Sequence, residues 1–229
     1  MQLFYQPLIQ DGALHLEEDE ARHAIKVLRL KVGDAIQLTD GKGNIFRASI
    51  DKIDKTTCSF SVKETITIPK RKFSVHIGIA PTKNIDRIEW FVEKATEIGV
   101  DEISFIRCQN SERRVVNLDR IYKKAISAMK QSGQAWLPKL NPIAPFEECL
   151  KADGKKYIAF VDSRNPAHLK DVQTGNRSTV LIGPEGDFTT EELELAIKNG
   201  FQKVSLGSPT LRTETAGLAA CHILNLINA

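Results

Sequence analysis

One break in patterning constrains this chain more than any other feature. At Ile68-Pro69-Lys70-Arg71-Lys72, a basic stretch marked by proline, the spacing of apolar residues changes. Before it, apolar and polar residues alternate in short runs at 34–39, 44–50 and 58–62. A period of two is that of a strand with one buried face. Asp40-Gly41-Lys42-Gly43-Asn44 separates the first two runs and reads as a hairpin turn. One short helix is expected over residues 18–28, ending before Gly33. Short strands, tight turns and little helix predict a small β-barrel over residues 1–70.

Beyond the break, over residues 71–229, strands and helices alternate. Residues 73–80 read as a buried strand. Residues 85–98 read as a helix with Ile88, Phe91, Ala95 and Ile98 on one face, stopped by Gly99. A strand at 103–106 and a helix at 118–132, stopped by Gly133, follow. Strands are expected at 157–161 and 179–182. Next comes a helix at 189–198 with Thr189 and Glu192 as a capping box. A short strand at 204–206 and a final helix at 215–227 close the pattern. Such alternation predicts an α/β fold with a mostly parallel sheet covered by helices.

Composition excludes several classes. The chain is 41% hydrophobic and 27% charged, as ordinary globular chains are. No apolar run approaches the roughly 20 residues that span a bilayer, and no basic-then-apolar leader opens the sequence. Cys58, Cys108, Cys149 and Cys221 are scattered without a Cys-x-x-Cys pair, so a zinc site is not expected. His15, His76, His168 and His222 form no ligand spacing and read as structural or surface residues. A cytoplasmic protein is expected. The net charge of +3 is compatible with a nucleic-acid partner and does not demand one.

Two loops carry the chemical signal. One is Leu181-Ile182-Gly183-Pro184-Glu185-Gly186-Asp187-Phe188; the other runs from Leu206-Gly207-Ser208-Pro209 through Leu211-Arg212-Thr213-Glu214-Thr215-Ala216. Both follow expected strands and lead into helices. In an open α/β sheet, ligands bind beyond the carboxyl ends of the strands, where glycines admit close backbone approach. A single such loop is ordinarily turn punctuation; a matched pair is harder to dismiss. Neither is a P-loop nor a Gly-x-Gly-x-x-Gly fingerprint. The final helix is apolar almost all round, which fits either a buried core helix or a subunit interface.

These loops resemble those of the SPOUT class of knotted methyltransferases. More narrowly, the chain resembles the bacterial small-subunit rRNA uridine-N3 methyltransferases. The resemblance extends through His23-Ala24-Ile25-Lys26-Val27-Leu28-Arg29-Leu30, Gly33-Asp34, Lys83, residues 93–100, Ser111-Glu112-Arg113 and Lys130-Gln131-Ser132-Gly133. It therefore covers essentially the whole chain. Gln134 departs from it, where an arginine is expected.

The resemblance implies a PUA-like β-barrel RNA-binding domain at 1–70 and a trefoil-knotted methyltransferase domain at 71–229. It also implies a homodimer, S-adenosylmethionine as cofactor, no metal, and 16S rRNA or the small ribosomal subunit as partner. The expected cofactor residues are Leu181, Gly183, Pro184, Glu185, Gly186, Leu206, Gly207, Leu211, Thr215 and Ala216. Uridine N3 carries a proton and is a poor nucleophile until it leaves, so a base or a cationic stabiliser is needed. Arg212 is expected at the uracil or phosphate, and Glu214 as orienter or proton acceptor. Charge compensation at a helix N-terminus accounts for Glu214 equally well. His23, Arg29, Lys83 and Arg113 are candidate RNA contacts; a solvated helical face accounts for the first two as well. Two competing functions are a SPOUT enzyme acting on tRNA or a ribose 2′-hydroxyl, and a non-catalytic RNA-binding assembly factor.

Overall fold

The computed structural model describes residues 2–161 and 167–229. The chain forms two compact units, Met1–Lys70 with Ile126–Leu137, and Arg71–Ala125 with Pro138–Ala229. Residues 126–137, expected with the second domain, thus cluster with the first.

In the first unit, β1 (Leu3–Tyr5), β2 (Ala35–Thr39), β3 (Asn44–Ile53) and β4 (Cys58–Thr67) form one sheet in that order. β1 is parallel to β2, and the other pairs are antiparallel. Residues 14–16 bond to β4 through Leu16 N to Cys58 O (2.9 Å) and Phe60 N to Leu14 O (3.0 Å). Gln6, just after β1, donates from Nε2 to the His15 carbonyl at 2.5 Å. Both edges of the sheet therefore meet at one short segment, which closes it. Phe4, Ile36, Leu38, Phe46, Ile50 and Phe60 fill the interior. The hairpin turn is organised by Asp40, whose carboxylate accepts from Lys42 N (2.7 Å) and Asn44 N (3.1 Å).

The helix expected at 18–28 is regular only as α1 (Glu18–Arg22) and continues as a π-helical turn, His23–Val27. It ends at Arg29, whose φ of 55° is left-handed. Leu28 N donates to His23 O at 3.0 Å and Leu30 N to Ala24 O at 3.1 Å. An arginine thus does what glycine usually does at a helix end.

Residues 126–137 are held to this unit by backbone. Gly43 N donates to Ala135 O and Leu137 N to Gly41 O, both at 2.9 Å. Trp136 Nε1 donates to Ile68 O at 3.0 Å. A Cβ on Gly43 would sit 2.3 Å from the Trp136 ring, so only glycine fits there.

The second unit holds six parallel strands: β5 (Ser74–Ile79), β6 (Glu102–Arg107), β7 (Lys139–Pro145), β8 (Lys155–Ala159), β9 (Arg177–Ile182) and β10 (Gln202–Val204). Their order is β10-β8-β9-β5-β6-β7. Helix α2 (Ile85–Ile98) follows β5 and ends on Gly99 in the left-handed region. Helix α3 (Leu118–Gln131) follows β6, and the short α4 (Phe146–Cys149) follows β7. Helix α5 (Thr190–Lys198) carries the expected capping box between Thr189 and Glu192. Helix α6 (Thr213–Asn228) ends the chain.

Helix α6 buries Gly217, Ala220, Cys221 and Leu224, a stripe at i, i+3, i+4 and i+7. A Cβ on Gly217 would stand 2.8 Å from Phe91 of α2 and 3.0 Å from Ile79 of β5, so the helix packs there on bare backbone. Its other face is open: Leu226 is 66% exposed. The chain alone therefore does not bury this helix on every side.

Between β9, β5, β6 and β7 lies a polar network near the amino ends of the strands. The buried His76 ring contacts Thr179 Oγ1 at 3.1 Å and Ser104 Oγ at 2.8 Å. Arg177 Nη2 approaches His76 Nδ1 at 3.2 Å and bonds Glu102 at 2.8 Å. Arginine can only donate, so Nδ1 is the acceptor and Nε2 carries the proton. Burial, with the neighbouring Arg177 and Lys139 cations, lowers the His76 pKa to about 4 against the pull of Glu102. Burial would raise the Glu102 pKa, but the Asn141 hydrogen bond, His76 and Arg177 hold it down to about 2.

Candidate functional site

The connections from β5 run outward through β6 to β7, while β9, β8 and β10 lie on the other side of β5. Beyond the carboxyl ends of β8, β9 and β10 opens a cleft of about 1030 Å³. Its walls include Phe160 after β8, residues Ile182–Asp187 except Gly186 after β9, and Ser205 to Thr213 after β10. This is where the topology of an open parallel sheet places a ligand.

The first loop is held from both sides. Asp187 N donates to Pro184 O at 3.0 Å. Asp187 itself takes a left-handed φ of 59°, and its carboxylate accepts from Phe188 N at 2.8 Å. Burial raises its pKa above the ordinary aspartate value. A Cβ on Gly183 would come within 3.2 Å of Asp187 Oδ1 and the Phe188 ring. The segment after β6 braces this loop: Asn110 Nδ2 donates to Gly186 O and Asp187 O, and Gln109 N to Glu192. The Glu185 carboxylate accepts from Lys83 N at 3.0 Å.

The second loop is pinned at its start. Ser205 N donates to Ala167 O at 3.0 Å, and Leu169 N to Ser205 O at 2.9 Å. Gly207 has a φ of 128°, and its N–H bonds Ser205 Oγ at 3.1 Å. Arg212 caps α6, exposed at the cleft.

Of the expected cofactor residues, Gly183, Pro184, Glu185, Leu206, Gly207, Leu211 and Ala216 line the cleft, as does Arg212. Leu181, Gly186 and Thr215 do not; Leu181 is fully buried in the sheet. Glu214 is also absent from the walls. It is 7% exposed, and its Oε1 lies 3.8 Å from Arg87 Nε. Sequence reasoning missed Arg87, Asp187, His168 and Asp171, all of which line the cleft. The one available signal was that Arg87 falls four residues after Lys83, in the first turn of the helix that follows a strand.

The expected RNA residues are spread over both units. His23 packs edge-on to Phe4, with ring centroids 6.5 Å apart. Arg29 is exposed. Lys83 is exposed and pairs with Glu112 at 2.9 Å. Arg113 spends its guanidinium on backbone, donating to Thr82 O at 3.0 Å and Lys83 O at 2.6 Å. It braces the loop after β5. Among the described residues, no three His, Cys, Asp or Glu side chains gather as a metal site. No helix among them is long and apolar enough to cross a membrane.

A parallel α/β sheet with two glycine–proline loops walling its carboxyl-end crevice, in a chain that also carries a closed β-unit, defines a two-unit α/β protein with a ligand cleft. Comparison with known proteins narrows this. Residues 69–225 match the RNA methyltransferase domain, and residues 16–63 match the RNA methyltransferase PUA domain. The chain belongs to the RNA methyltransferase family. A curated relative, ribosomal RNA small subunit methyltransferase E of Rickettsia conorii, is 29% identical over 97% of this chain and 93% of its own. The crystal structure of a probable rRNA methyltransferase from Porphyromonas gingivalis is 41% identical, covering 100% of this chain and 98% of that one, with a TM-score of 0.94. Ribosomal RNA small subunit methyltransferase E from Neisseria gonorrhoeae, solved bound to S-adenosyl methionine, is 28% identical with a TM-score of 0.89. That match covers 99% of this chain and 97% of the other.

Proposed function

We propose that the protein transfers a methyl group from S-adenosylmethionine to N3 of one uridine in 16S rRNA of the small ribosomal subunit. One observation carries the reading: the two family loops converge on a single cleft, in a chain that aligns almost end to end with a relative solved with that cofactor. The cleft suits the cofactor. Ile182, Leu206, Leu211 and Ala216 offer apolar wall to an adenine, and Gly183 and Gly207 open backbone to polar atoms. S-Adenosylmethionine supplies a sulfonium methyl as the electrophile.

What the chain must add is position and charge control. The uridine has to leave its stack to reach a cleft at strand ends. Its N3 gains nucleophilicity as the proton departs to solvent water, and negative charge spreads to the flanking carbonyl oxygens. We assign the stabilising of that charge to Arg212, and its exposure at the cleft supports this. The closed β-unit is the RNA-binding module, with His23 on its helix and Arg29 at the helix end. Lys83 supplies a further cation for the RNA backbone.

The active species is a homodimer, with the open face of α6 covered by a second copy. The second unit carries the trefoil knot of the class that its loops resemble. Its place of action is the cytoplasm. The test is tritium transfer from labelled cofactor to ribosomal RNA, followed by nucleoside mass spectrometry. Recovery of 3-methyluridine supports the reading. A 2′-O-methyl product, a tRNA product or no transfer rejects it. Sedimentation of an active monomer at micromolar concentration rejects the dimer.

A further inference from the structure

Arg87 sits in the first turn of α2, at the positive end of that helix, where a cation opposes the helix dipole. Helix stability does not account for it. Its side chain is 38% exposed and lines the cleft. Behind it, in the first turn of α6, stands Glu214. The Glu214 residue is 7% exposed, and its Oε2 is buried with no hydrogen-bond partner. The closest approach between the two, Nε to Oε1, is 3.8 Å, beyond hydrogen-bond distance. Glu214 does not line the cleft, so its nearest charged neighbour there is Arg87 and not a substrate. It does hold a cation in front of it, because leaving it unpaired in the interior is costly.

We propose that Arg87 is a second cation of the methyl-transfer cleft that binds an oxyanion, and that Glu214 acts only through it as a positioning residue. This rests on the function proposed above. The oxyanion is the carboxylate of the cofactor's amino-acid arm or a phosphodiester of the RNA beside the target uridine. Both are planar or forked acceptor groups that a guanidinium grips with two donors. Of the two roles expected of Glu214, orienter and proton acceptor, this takes up the first, and it leaves Arg212 and Arg87 as two separate cations lining one cleft.

The test uses calorimetry and steady-state kinetics on the full chain. S-Adenosylhomocysteine carries the carboxylate, 5′-methylthioadenosine lacks it, and small-subunit rRNA is the methyl acceptor. A carboxylate ligand predicts that Arg87→Ala weakens S-adenosylhomocysteine about ten- to hundredfold and leaves 5′-methylthioadenosine unchanged. A phosphate ligand predicts unchanged binding of both and a KM for RNA raised at least about tenfold. Arg87→Lys should recover part of either loss. Glu214→Gln should move the same parameter by less, and the double variant should be no worse than Arg87→Ala. Should Arg87→Ala melt early, Arg87→Gln carries the test.

Values for S-adenosylhomocysteine, RNA KM and turnover all within twofold of wild type in Arg87→Ala and Arg87→Gln overturn the proposal. Multiplying effects of Arg87 and Glu214 overturn the support role. If the wild-type protein transfers no methyl to RNA, the proposed function fails first, while the calorimetric arm still tests the cofactor carboxylate.

Discussion

Asn110 donates from a single side-chain nitrogen to the carbonyl oxygens of Gly186 and Asp187, 3.1 Å each. One amide therefore fixes the turn of the first cleft loop from outside the cleft. The Asn110 Cβ lies only 3.3 Å from where a Cβ on Gly186 would stand, so the fit depends on glycine as well. Each neutral hydrogen bond is worth roughly 0.5–1.5 kcal/mol. Asn110→Ala should therefore weaken cofactor binding by about five- to hundredfold at most, with a melting-temperature shift of only a few degrees. Calorimetry with S-adenosylhomocysteine beside a melting curve checks this; unchanged affinity would mean that the loop holds its shape unaided.

Arg212 lies at the cleft without a capping hydrogen bond from its side chain. Removing a preorganised stabiliser of transition-state charge costs on the order of 10²–10³ in rate. Arg212→Ala should keep the fold and the cofactor affinity and lose that factor in single-turnover methyl transfer. A stable variant with an unchanged single-turnover rate would strike Arg212 from the site.

Arg29 stores conformational strain. A non-glycine residue in the left-handed region costs roughly 1–2 kcal/mol. Arg29→Gly should relieve part of this and raise the stability of the first unit by about 1 kcal/mol. If the arginine contacts RNA, the same change should weaken RNA binding and flatten its salt dependence. Denaturant unfolding and a salt titration of RNA affinity read the two effects separately. A loss of stability would show that the side chain, and not the backbone, holds this turn.

The His76 network makes stability depend on acid in two stages. The His76 pKa is lowered to about 4 in the fold from 6.5, so below pH 6.5 the unfolded chain binds a proton that the folded chain refuses. Its contribution is complete above pH 6.5 and is lost as the pH falls toward 4. Glu102, lowered to about 2 from 4.5, adds stability above pH 4.5 that is lost as the pH falls toward 2. The melting temperature should fall through both windows. His76→Asn should remove the dependence between pH 6.5 and 4 and narrow the lower one, because His76 is among the groups that hold Glu102 down. A wild-type melting temperature flat from pH 7 to 4 would contradict the assignment of a neutral ring.

The parts legible in the sequence are those written within a few residues. The helix 85–98 and its Gly99 stop, the Thr189–Glu192 capping box and the Asp40 turn all depend on local spacing, and each forms as read. The barrel helix ends where expected, but its π-helical last turn and the left-handed stop at Arg29 have no mark in the sequence, because Arg29 looks there like any helical residue. Strand β7 was hidden by Pro142 and Pro145, which a strand tolerates at the sheet edge it occupies. Strand order and the burial of Glu214 depend on residues far apart in sequence. No period encodes them, so the cleft was located while its second cation was missed.

The chain visits the first unit twice, at 1–70 and again at 126–137. The smaller module is therefore not a contiguous stretch that can be cut away or transplanted at the proline-marked break. A protein beginning at residue 71 would keep Ala135 and Leu137 but lose Gly43 and Gly41, their backbone partners. It would also strip Ile68 from the Trp136 indole. Shuffling this barrel onto another enzyme, by nature or by design, requires carrying a twelve-residue rider from the middle of the host.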